Sequence, residues 1–307
     1  HSGILEIGAR AFEDCEALTE VTLPDTVTSI GKGAFENTGI ISVSLPSSIT
    51  TLESFVFNRC TSLTRVNLPS NLKNVLNNMF SGCSALTDID IPDGVQSIGS
   101  SAFSNTGLVS IDIPDSVTSI GSHAFLGCEQ LKSVNLPENI TEISDYTFNS
   151  CTALDSITIP DGVTSIGDYA FKNCDNLKTL TIPASVTQVG KDTFAFCYNL
   201  SDVYFGGNEE DWEELMGSYI EYSNHNPFAE GREDAPTVHY NADQPGRDPD
   251  GGTESDGPIQ SIPTPVWEEA RYTADGVVQL DWTIPLSSVG HDNDMEGVKI
   301  LRKSDGG

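Results

Sequence analysis

Residues 131–153, LKSVNLPENITEISDYTFNSCTA, decide the fold of this chain. Leu131, Val134 and Leu136 form an L-x-x-V-x-L pattern, which predicts a short strand with its apolar side chains turned inward. Pro137 follows at once and removes a backbone donor, so the strand ends there and the chain turns. The stretch thus begins with one short strand and a proline corner.

The second half of the stretch predicts a return path. Ile140 and Ile143 form the next inward pair, in a second extended segment. In most copies a glycine follows, and we expect it to allow a tight or positive-φ corner. Phe148 comes next, and we expect it to plug the far side of the coil from a short helical or 3-10 turn. One stretch is therefore one closed turn of chain.

The same stretch recurs along most of the chain. A proline series has spacings of 22 or 23 residues: Pro24, Pro46, Pro69, Pro92, Pro114, Pro137, Pro160 and Pro183. A phenylalanine series keeps the same period: Phe12, Phe35, Phe57, Phe80, Phe103, Phe125, Phe148, Phe171 and Phe194. A fixed period of this length indicates stacked coils, each of which buries the apolar side chains of its neighbours. The sequence predicts a right-handed solenoid with short parallel strands stacked in a curved sheet.

All seven cysteines occur three residues after a repeat phenylalanine: Cys15, Cys60, Cys83, Cys128, Cys151, Cys174 and Cys197. A zinc site needs clusters such as C-x-x-C, and the chain has none. In-register thiols on adjacent coils are about 4.8 Å apart, whereas a disulfide needs Cβ atoms about 3.8 Å apart. The two copies without cysteine are one residue shorter. We therefore predict a ladder of buried thiols.

Composition and sequence pattern predict that the chain has three regions. Residues 1–241 are predicted to form the solenoid with a cap at about 208–241, because the last coil would otherwise expose its core. Within this cap, the sequence indicates a helix at 208–217 with Asn208 as N-cap, followed by a closing strand at Thr237–Tyr240.

Residues 242–258 are acidic and rich in Pro and Gly, which predicts a solvated linker. The sequence of residues 259–307 is typical of β-strands. The chain begins within a repeat and ends within this strand-rich region, so we expect it to be part of a longer protein.

Charge and motifs exclude several function classes. The chain has 45 acidic and 15 basic residues, a formal net charge of −30, which disfavours nucleic acid as a partner. No apolar run is long enough to span a membrane. The five histidines fall at unrelated positions of the repeat, and no hydrolase, phosphate-loop or metalloprotease motif occurs. We therefore predict no catalytic residue, no metal site, no cofactor and no enzymatic activity.

The remaining place for function is the outward side of the first strand of each coil. Its side chains form rows across the sheet, and Asp88, Asp90 and Asp112 on adjacent coils would suit a basic partner or a cation. The predicted partner-binding face consists of Glu20, Arg65, Asp88, Asp90, Asp112, Asn135, Thr158, Asp202 and Tyr204. The alternative is a solvated face of short hydroxyl and amide side chains, which contribute little binding energy.

The repeat pattern C-x-x-L-x-x-V-x-[LI]-P-x-x-[VI]-T-x-I-G-x-x-A-F resembles the BspA-type, or treponemal, class of leucine-rich repeats over residues 4 to about 205. The matching residues of one copy are Cys151, Leu154, Ile157, Ile159, Pro160, Val163, Ile166, Gly167, Ala170 and Phe171. This resemblance implies a secreted or surface-attached protein of host-associated bacteria or parasitic protists that acts in adhesion and protein binding without catalysis.

Farther along, V-x-L-x-W-x-x-P at 278–285 and GVKILRK at 297–303 resemble the first half of a fibronectin type III domain. Trp282 would be its core tryptophan. A complete sandwich of this class has about 100 residues, so residues 259–307 would be only part of one.

Together these features predict a non-catalytic, extracellular or cell-surface binding protein. Its partners would be proteins or glycans of the host matrix, of host cells or of other bacteria. One alternative is an accessory spacer or targeting region of a secreted multidomain hydrolase, with the catalytic domain elsewhere. Another is a structural stalk without a ligand.

Overall fold

The computed structural model describes residues 3–223 and 235–241, together with strands at 266–272, 277–283 and 302–303. Strands are numbered along the chain. In the repeat region most coils contribute two short parallel strands, one to each of two rows, which we call the main sheet and the second sheet. Hydrogen bonding divides the main sheet into groups of two, two and four strands and the second sheet into three groups of three strands.

The main sheet contains the strands that precede the repeat prolines and, at its C-terminal end, two further strands that no repeat proline follows. They are β3 (Ser42–Ser44), β5 (Arg65–Asn67), β8 (Ser110–Asp112), β10 (Ser133–Asn135), β12 (Ser156–Thr158), β14 (Thr179–Ile182), β16 (Asp202–Phe205) and β17 (Thr237–Tyr240). In β3, β5, β8, β10 and β12 the middle residue is buried and its two neighbours are exposed. This alternation confirms the inward side of the L-x-x-V-x-L pattern.

The second sheet contains the strands that follow the proline corners. They are β1 (Glu6–Ile7), β2 (Ser29–Ile30), β4 (Thr51–Leu52), β6 (Asn74–Val75), β7 (Ser97–Ile98), β9 (Ser119–Ile120), β11 (Glu142–Ile143), β13 (Ser165–Ile166) and β15 (Gln188–Val189). Within each hydrogen-bonded group of strands, each residue pairs with its equivalent on the next coil, as Ile111 does with Val134. The predicted solenoid of stacked parallel strands is confirmed.

The repeat phenylalanines form a continuous ladder inside the stack. The rings from Phe35 to Phe194 are almost fully buried, and successive centroids lie 5.4–5.8 Å apart with the planes within 13° of parallel. Phe12, in the first coil, continues the stack onto Phe35 but is 39% exposed. Each ring thus packs on the ring of the neighbouring coil.

The corner that carries the phenylalanine is a series of turns, so the prediction of a short helical or 3-10 turn was wrong. The residue two positions before each phenylalanine has a positive φ, for example 62° at His123 and 57° at Tyr146. A right-handed helix cannot continue through such a residue. The Phe125 amide instead donates to the Thr147 carbonyl of the next coil at 2.9 Å. The corner therefore adds another set of hydrogen bonds between coils.

The repeat glycines serve a different purpose from the one predicted. The positive-φ residues of the chain do not include Gly167 or Gly190. A Cβ atom on Gly167 would lie 2.6 Å from the backbone nitrogen of Asp145, and one on Gly190 would lie 2.4 Å from that of Asp168. Glycine is required at these positions because the backbone of the preceding coil passes too close for a side chain.

The thiol ladder is confirmed. Cys15 is exposed, and the other six cysteines are buried. Each buried Sγ donates a hydrogen bond of 3.0–3.2 Å to the carbonyl of the phenylalanine in the preceding coil. In the two short copies Thr38 and Thr106 donate instead to the phenylalanine carbonyl of their own coil, at 3.0 and 2.8 Å. The side chain at this position thus satisfies a buried acceptor.

Helix α1 (Glu209–Ser223) packs beside the last coil. The Asp211 amide donates to Asn208 Oδ1 and the Asn208 amide donates to Asp211 Oδ2, so Asn208 is the predicted N-cap. Trp212 and Leu215 are buried, and the Trp212 ring lies 5.2 Å from that of Phe205. The helix continues beyond position 217, where the sequence predicted its end, because one interior glycine costs only about 1 kcal/mol.

Strand β17 closes the main sheet by pairing in parallel with β16. His239 lies opposite Tyr204, and their rings stack with centroids 4.6 Å apart. The same imidazole places Nε2 2.8 Å from Asp202 Oδ1. Ring stacking and a polar contact therefore attach the closing strand.

The chain divides into two compact units, His1–Asp250 and Gly251–Gly307. In the second unit, β18 (Val266–Tyr272), β19 (Val277–Thr283) and β20 (Arg302–Lys303) form an antiparallel sheet. The linker predicted at 242–258 lies outside the described residues. The predicted domain boundaries and the fibronectin-like sandwich stay predictions.

We expect Phe125→Ala to lower the free energy of unfolding by about 3–5 kcal/mol, because it removes a buried ring from the middle of the ladder. Phe12→Ala is the matched control, since its ring is partly exposed, and we expect it to cost less than half as much. Urea denaturation followed by circular dichroism measures both. A cost below about 1 kcal/mol for Phe125→Ala would contradict the ladder's role.

We expect Gly167→Ala to destabilise the chain by about 1–3 kcal/mol, because the new methyl group meets the Asp145 backbone. A Cβ on Gly94 would have its nearest neighbour 3.5 Å away, at Lys73 Nζ. Gly94→Ala should therefore be neutral or stabilise by about 0.4–1 kcal/mol through the unfolded state. Equal denaturation midpoints for the two variants would refute the close approach.

We expect the stability that the contacts of β17 contribute to depend on pH. Hydrogen bonds from Ser201 and then from His239 lower the pKa of Asp202. A carboxyl whose pKa is lowered by folding stabilises the fold above its unfolded value, about 3.9, and this contribution disappears as the pH falls through the folded pKa. Asp202→Asn should therefore reduce the melting temperature at pH 6, and the difference from the parent chain should shrink as the pH falls below about 3.9. Asp88→Asn is the control, because the Asp88 carboxylate is exposed. If the change in melting temperature caused by Asp202→Asn does not depend on pH, the stabilising role of the Asp202 carboxylate is contradicted.

Candidate binding surface

The structure places the predicted binding residues on the outward side of the main sheet. Two of them, Asp202 and Tyr204, are half-buried beside His239. The others are exposed: Glu20, Arg65, Asp88, Asp90, Asp112, Asn135 and Thr158. The residues lie on successive coils along the sheet, so the structure distributes them over the face and does not gather them at one point.

Near the start of the chain, Glu20 forms a bridge with Ser42, and Ser42 pairs with Arg65. These residues occupy the same register position on consecutive coils. A concavity of about 300 Å³ lies here, and Arg65 and Asn67 contribute to its lining. This part of the face thus combines two carboxylates, Glu20 and Asp25, and the Arg65 guanidinium with short hydroxyl side chains.

Asp88 and Asp90 lie on the next coil, where the residues alternate regularly. Both are exposed, and Ile89 between them is buried. The hydrogen-bonded ladder of the main sheet is interrupted here, between β5 and β8. The two carboxylates therefore face outward from a segment that is not assigned to a strand.

Farther along, Asn135 Nδ2 donates a hydrogen bond to Asp112 Oδ1 on the preceding coil. A concavity of about 410 Å³ lies beside this pair, lined in part by Asn135, Glu138 and Thr158. The Asp112 carboxylate is thus oriented by its neighbour. Polar side chains at fixed positions suit hydrogen bonding to a partner better than an apolar contact.

The C-terminal end of the face contains a residue that the sequence analysis did not assign. His239 contacts Asp202 and Tyr204 although it is 37 residues from Asp202, outside the 23-residue period. The predicted strand at Thr237–Tyr240 was the available signal, but its register on β16 could not be read from the sequence. In the structure this register brings Asp202, Tyr204 and His239 together.

Ser201, Asp202 and His239 do not form a catalytic triad. Ser201 Oγ donates to Asp202 Oδ2 at 2.6 Å, while His239 contacts the other oxygen of the same carboxylate. In a triad the histidine lies between the serine and the carboxylate and accepts the serine proton. This arrangement orients Asp202 and generates no nucleophile.

The buried cysteines are unsuited to nucleophilic chemistry. Burial raises the pKa of the Cys128 thiol to about 11 and the pKa values of Cys83 and Cys151 well above the usual range. The thiolate is the reactive form, so these side chains stay protonated hydrogen-bond donors at neutral pH. Within the described residues, no three His, Cys, Asp or Glu side chains converge as metal ligands. In the same part of the chain, no helix is long and apolar enough to span a membrane.

Comparisons with known proteins agree with this architecture. A family model for the BspA type leucine rich repeat region matches residues 1–108 and 96–216, in six copies. A search of functionally curated proteins gives no match.

Among solved structures, the chain is similar to a leucine rich cell surface protein from Faecalibacterium prausnitzii, with 30% identity over 70% of this chain and a TM-score of 0.51. The chain spans 61% of that protein's length. A leucine rich repeat protein from T. pallidum is 26% identical over 76% of this chain and 81% of its own length, with a TM-score of 0.40. The period, the ladders and the match over residues 1–216 together show that this chain belongs to the BspA-type leucine-rich repeat family.

Proposed function

We propose that the chain is a non-catalytic binding module of a secreted or surface-attached protein and that it holds extracellular protein or glycan partners on the main-sheet face. One observation carries this proposal. In the three-residue strands of the main sheet, the first and third side chains are exposed and only the middle side chain is buried in the core. Membership of the BspA-type family and likeness to a cell surface protein support it.

The chemistry of the face favours weak contacts repeated over several coils. Its strands present serine, threonine and asparagine side chains, and these contribute less binding energy than aromatic residues or arginine. A partner with several equivalent groups would gain affinity from simultaneous engagement, because the coil spacing fixes the distance between contacts. Adhesion to the host matrix, to host cells or to other bacteria would use such polyvalent contacts.

The most charged part of the face defines the preferred partner. Asp88, Asp90 and Asp112 are exposed, and the whole chain has a net charge of −30. Opposite charge increases the rate at which a basic surface associates with such a patch. We therefore assign this part of the face to a basic segment of a partner protein.

The second unit extends the proposal. Its strands β18 and β19 pair in antiparallel register with Trp267 opposite Trp282. This pairing is compatible with a fibronectin-like module that acts as a spacer for the solenoid.

The test is binding of the full chain to surfaces coated with individual extracellular-matrix proteins, measured by biolayer interferometry. We expect saturable binding to at least one of them, and we expect the Asp88→Lys, Asp90→Lys, Asp112→Lys triple variant to weaken it about tenfold or more. The melting temperature should stay almost unchanged, because all three side chains are exposed.

A second triple variant, Asp93→Lys, Asp161→Lys and Glu129→Lys, is the control. It makes the same change in net charge at exposed positions outside the main-sheet strands. Equal loss of binding in both variants would show a net-charge effect only, and unchanged affinity in the first variant would exclude the acidic patch. Absence of saturable binding to every protein would favour a structural stalk.

A further inference from the structure

The buried cysteines have no part in the function proposed above. They form two runs on consecutive coils, and none of their side chains is accessible to solvent. Two thiols that lie side by side are the usual precursors of a disulfide, so the geometry of the row decides whether one can form. The first run is Cys60 and Cys83, and the second is Cys128, Cys151, Cys174 and Cys197.

The row holds neighbouring side chains at contact distance and not at bonding distance. In the two short copies a threonine occupies the cysteine position, so Thr38 Oγ1 lies 3.2 Å from Cys60 Sγ. Thr106 Oγ1 likewise lies 3.2 Å from Cys128 Sγ. A disulfide needs sulfur atoms about 2.05 Å apart and Cβ atoms about 3.8 Å apart, whereas in-register residues on adjacent coils are about 4.8 Å apart. An S–S bond therefore requires two coils to leave their normal spacing.

Each thiol also links two coils through its hydrogen. Cys151 Sγ donates to the Phe125 carbonyl of the preceding coil at 3.2 Å. Cys174 Sγ donates in the same way to the Phe148 carbonyl, also at 3.2 Å. A disulfide between Cys151 and Cys174 would remove both S–H hydrogens, because neither sulfur then has a proton to donate. Oxidation of this pair therefore costs the fold two buried hydrogen bonds between coils.

In the folded chain the thiols are protected from oxidants. Burial raises the pKa of Cys128 to about 11 and the pKa of Cys174 well above its usual range. The thiolate is the form that reacts, and it has an ordinary pKa near 8.5 in an exposed thiol. Cys15, in the first coil, is exposed. Unfolding therefore changes six thiols from inert to reactive, whereas Cys15 is accessible in both states.

We propose that the thiol ladder is a redox-sensitive lock on folding: the chain completes its stack only while the six thiols are reduced, and the folded chain then keeps them reduced in an oxidising environment. In the unfolded chain two thiols lose two electrons and two protons to an azo oxidant such as diamide. The oxidant becomes a hydrazine, and one S–S bond forms. The bonded pair has lost its S–H donors and cannot return to the coil spacing, so the stack is interrupted at those coils.

The first test counts reactive thiols in the full chain with Ellman's reagent. We expect the folded chain to react rapidly at one thiol, Cys15, and the urea-unfolded chain to react at all seven. The Cys15→Ala variant should show no rapidly reacting thiol when folded.

The second test changes the order of oxidation and folding in the Cys15→Ala variant, which avoids disulfides between chains. One sample is treated with diamide while folded, freed of oxidant, unfolded in urea and refolded. The other is treated while unfolded and then refolded. We expect the first to recover the circular dichroism of an untreated, refolded sample and the second to fail. Dithiothreitol should restore the second sample, because it reduces the S–S bonds.

The control replaces all six buried cysteines by serine in the Cys15→Ala background. Serine keeps a hydrogen-bond donor but forms no disulfide, so refolding of this variant should not depend on diamide. If this variant does not fold, rescue of the oxidised sample by dithiothreitol still distinguishes S–S bonds from other damage. The lock does not involve the main-sheet face, so it stands or falls independently of the function proposed above.

Three results would overturn the proposal. One is rapid reaction of several thiols in the folded chain. Another is formation of disulfides in the folded Cys15→Ala variant without any change in its circular dichroism, since the stack would then accommodate S–S bonds. The last is complete refolding of the oxidised, unfolded sample before dithiothreitol is added.

Discussion

Pairing of each residue with its equivalent on the next coil is the constraint on which the whole solenoid depends. A single coil has strands of only two to four residues and cannot bury its own apolar side chains. Once the coils are in register, every position of the repeat becomes a row along the stack. The Phe ladder, the thiol-to-carbonyl hydrogen bonds and the bond from the Asp168 amide to Asp145 are three results of this one register.

The same constraint makes the ends of the stack different from its middle. At the C-terminal end, α1 covers the last coil with Trp212 and Leu215, and β17 pairs with the outer edge of β16. In the first coil, Ile4 is 46% exposed and Phe12 is 39% exposed, although their equivalents in later coils, such as Val27 and Phe35, are buried. An inward side chain is therefore fully buried only where a neighbouring coil lies on both sides of it.

How much the sequence predicts depends on whether a feature follows the period. The proline and phenylalanine series were sufficient to predict the coils, the inward residues and the buried thiols. The conformation of the phenylalanine corner was predicted wrongly, because the hydrophobic pattern does not indicate a positive φ at His123 or Tyr146. Glycine packing could not be predicted either, since it reflects how closely adjacent backbones approach. The exposed main-sheet rows were predicted, whereas His239 joined them through a pairing outside the period.

A second row of stacked rings, formed by His123, Tyr146 and Tyr169, shows what a periodic signal can hide. His123, Tyr146 and Tyr169 share one repeat position, yet the adjacent Ala-Phe or Thr-Phe pair identifies that position as part of the corner. Because inward positions are constrained by packing on both neighbouring coils, only outward positions can vary from coil to coil without loss of the fold. Outward positions on the main sheet hold mostly short polar side chains, whereas one position of the corner holds stacked rings in three consecutive coils.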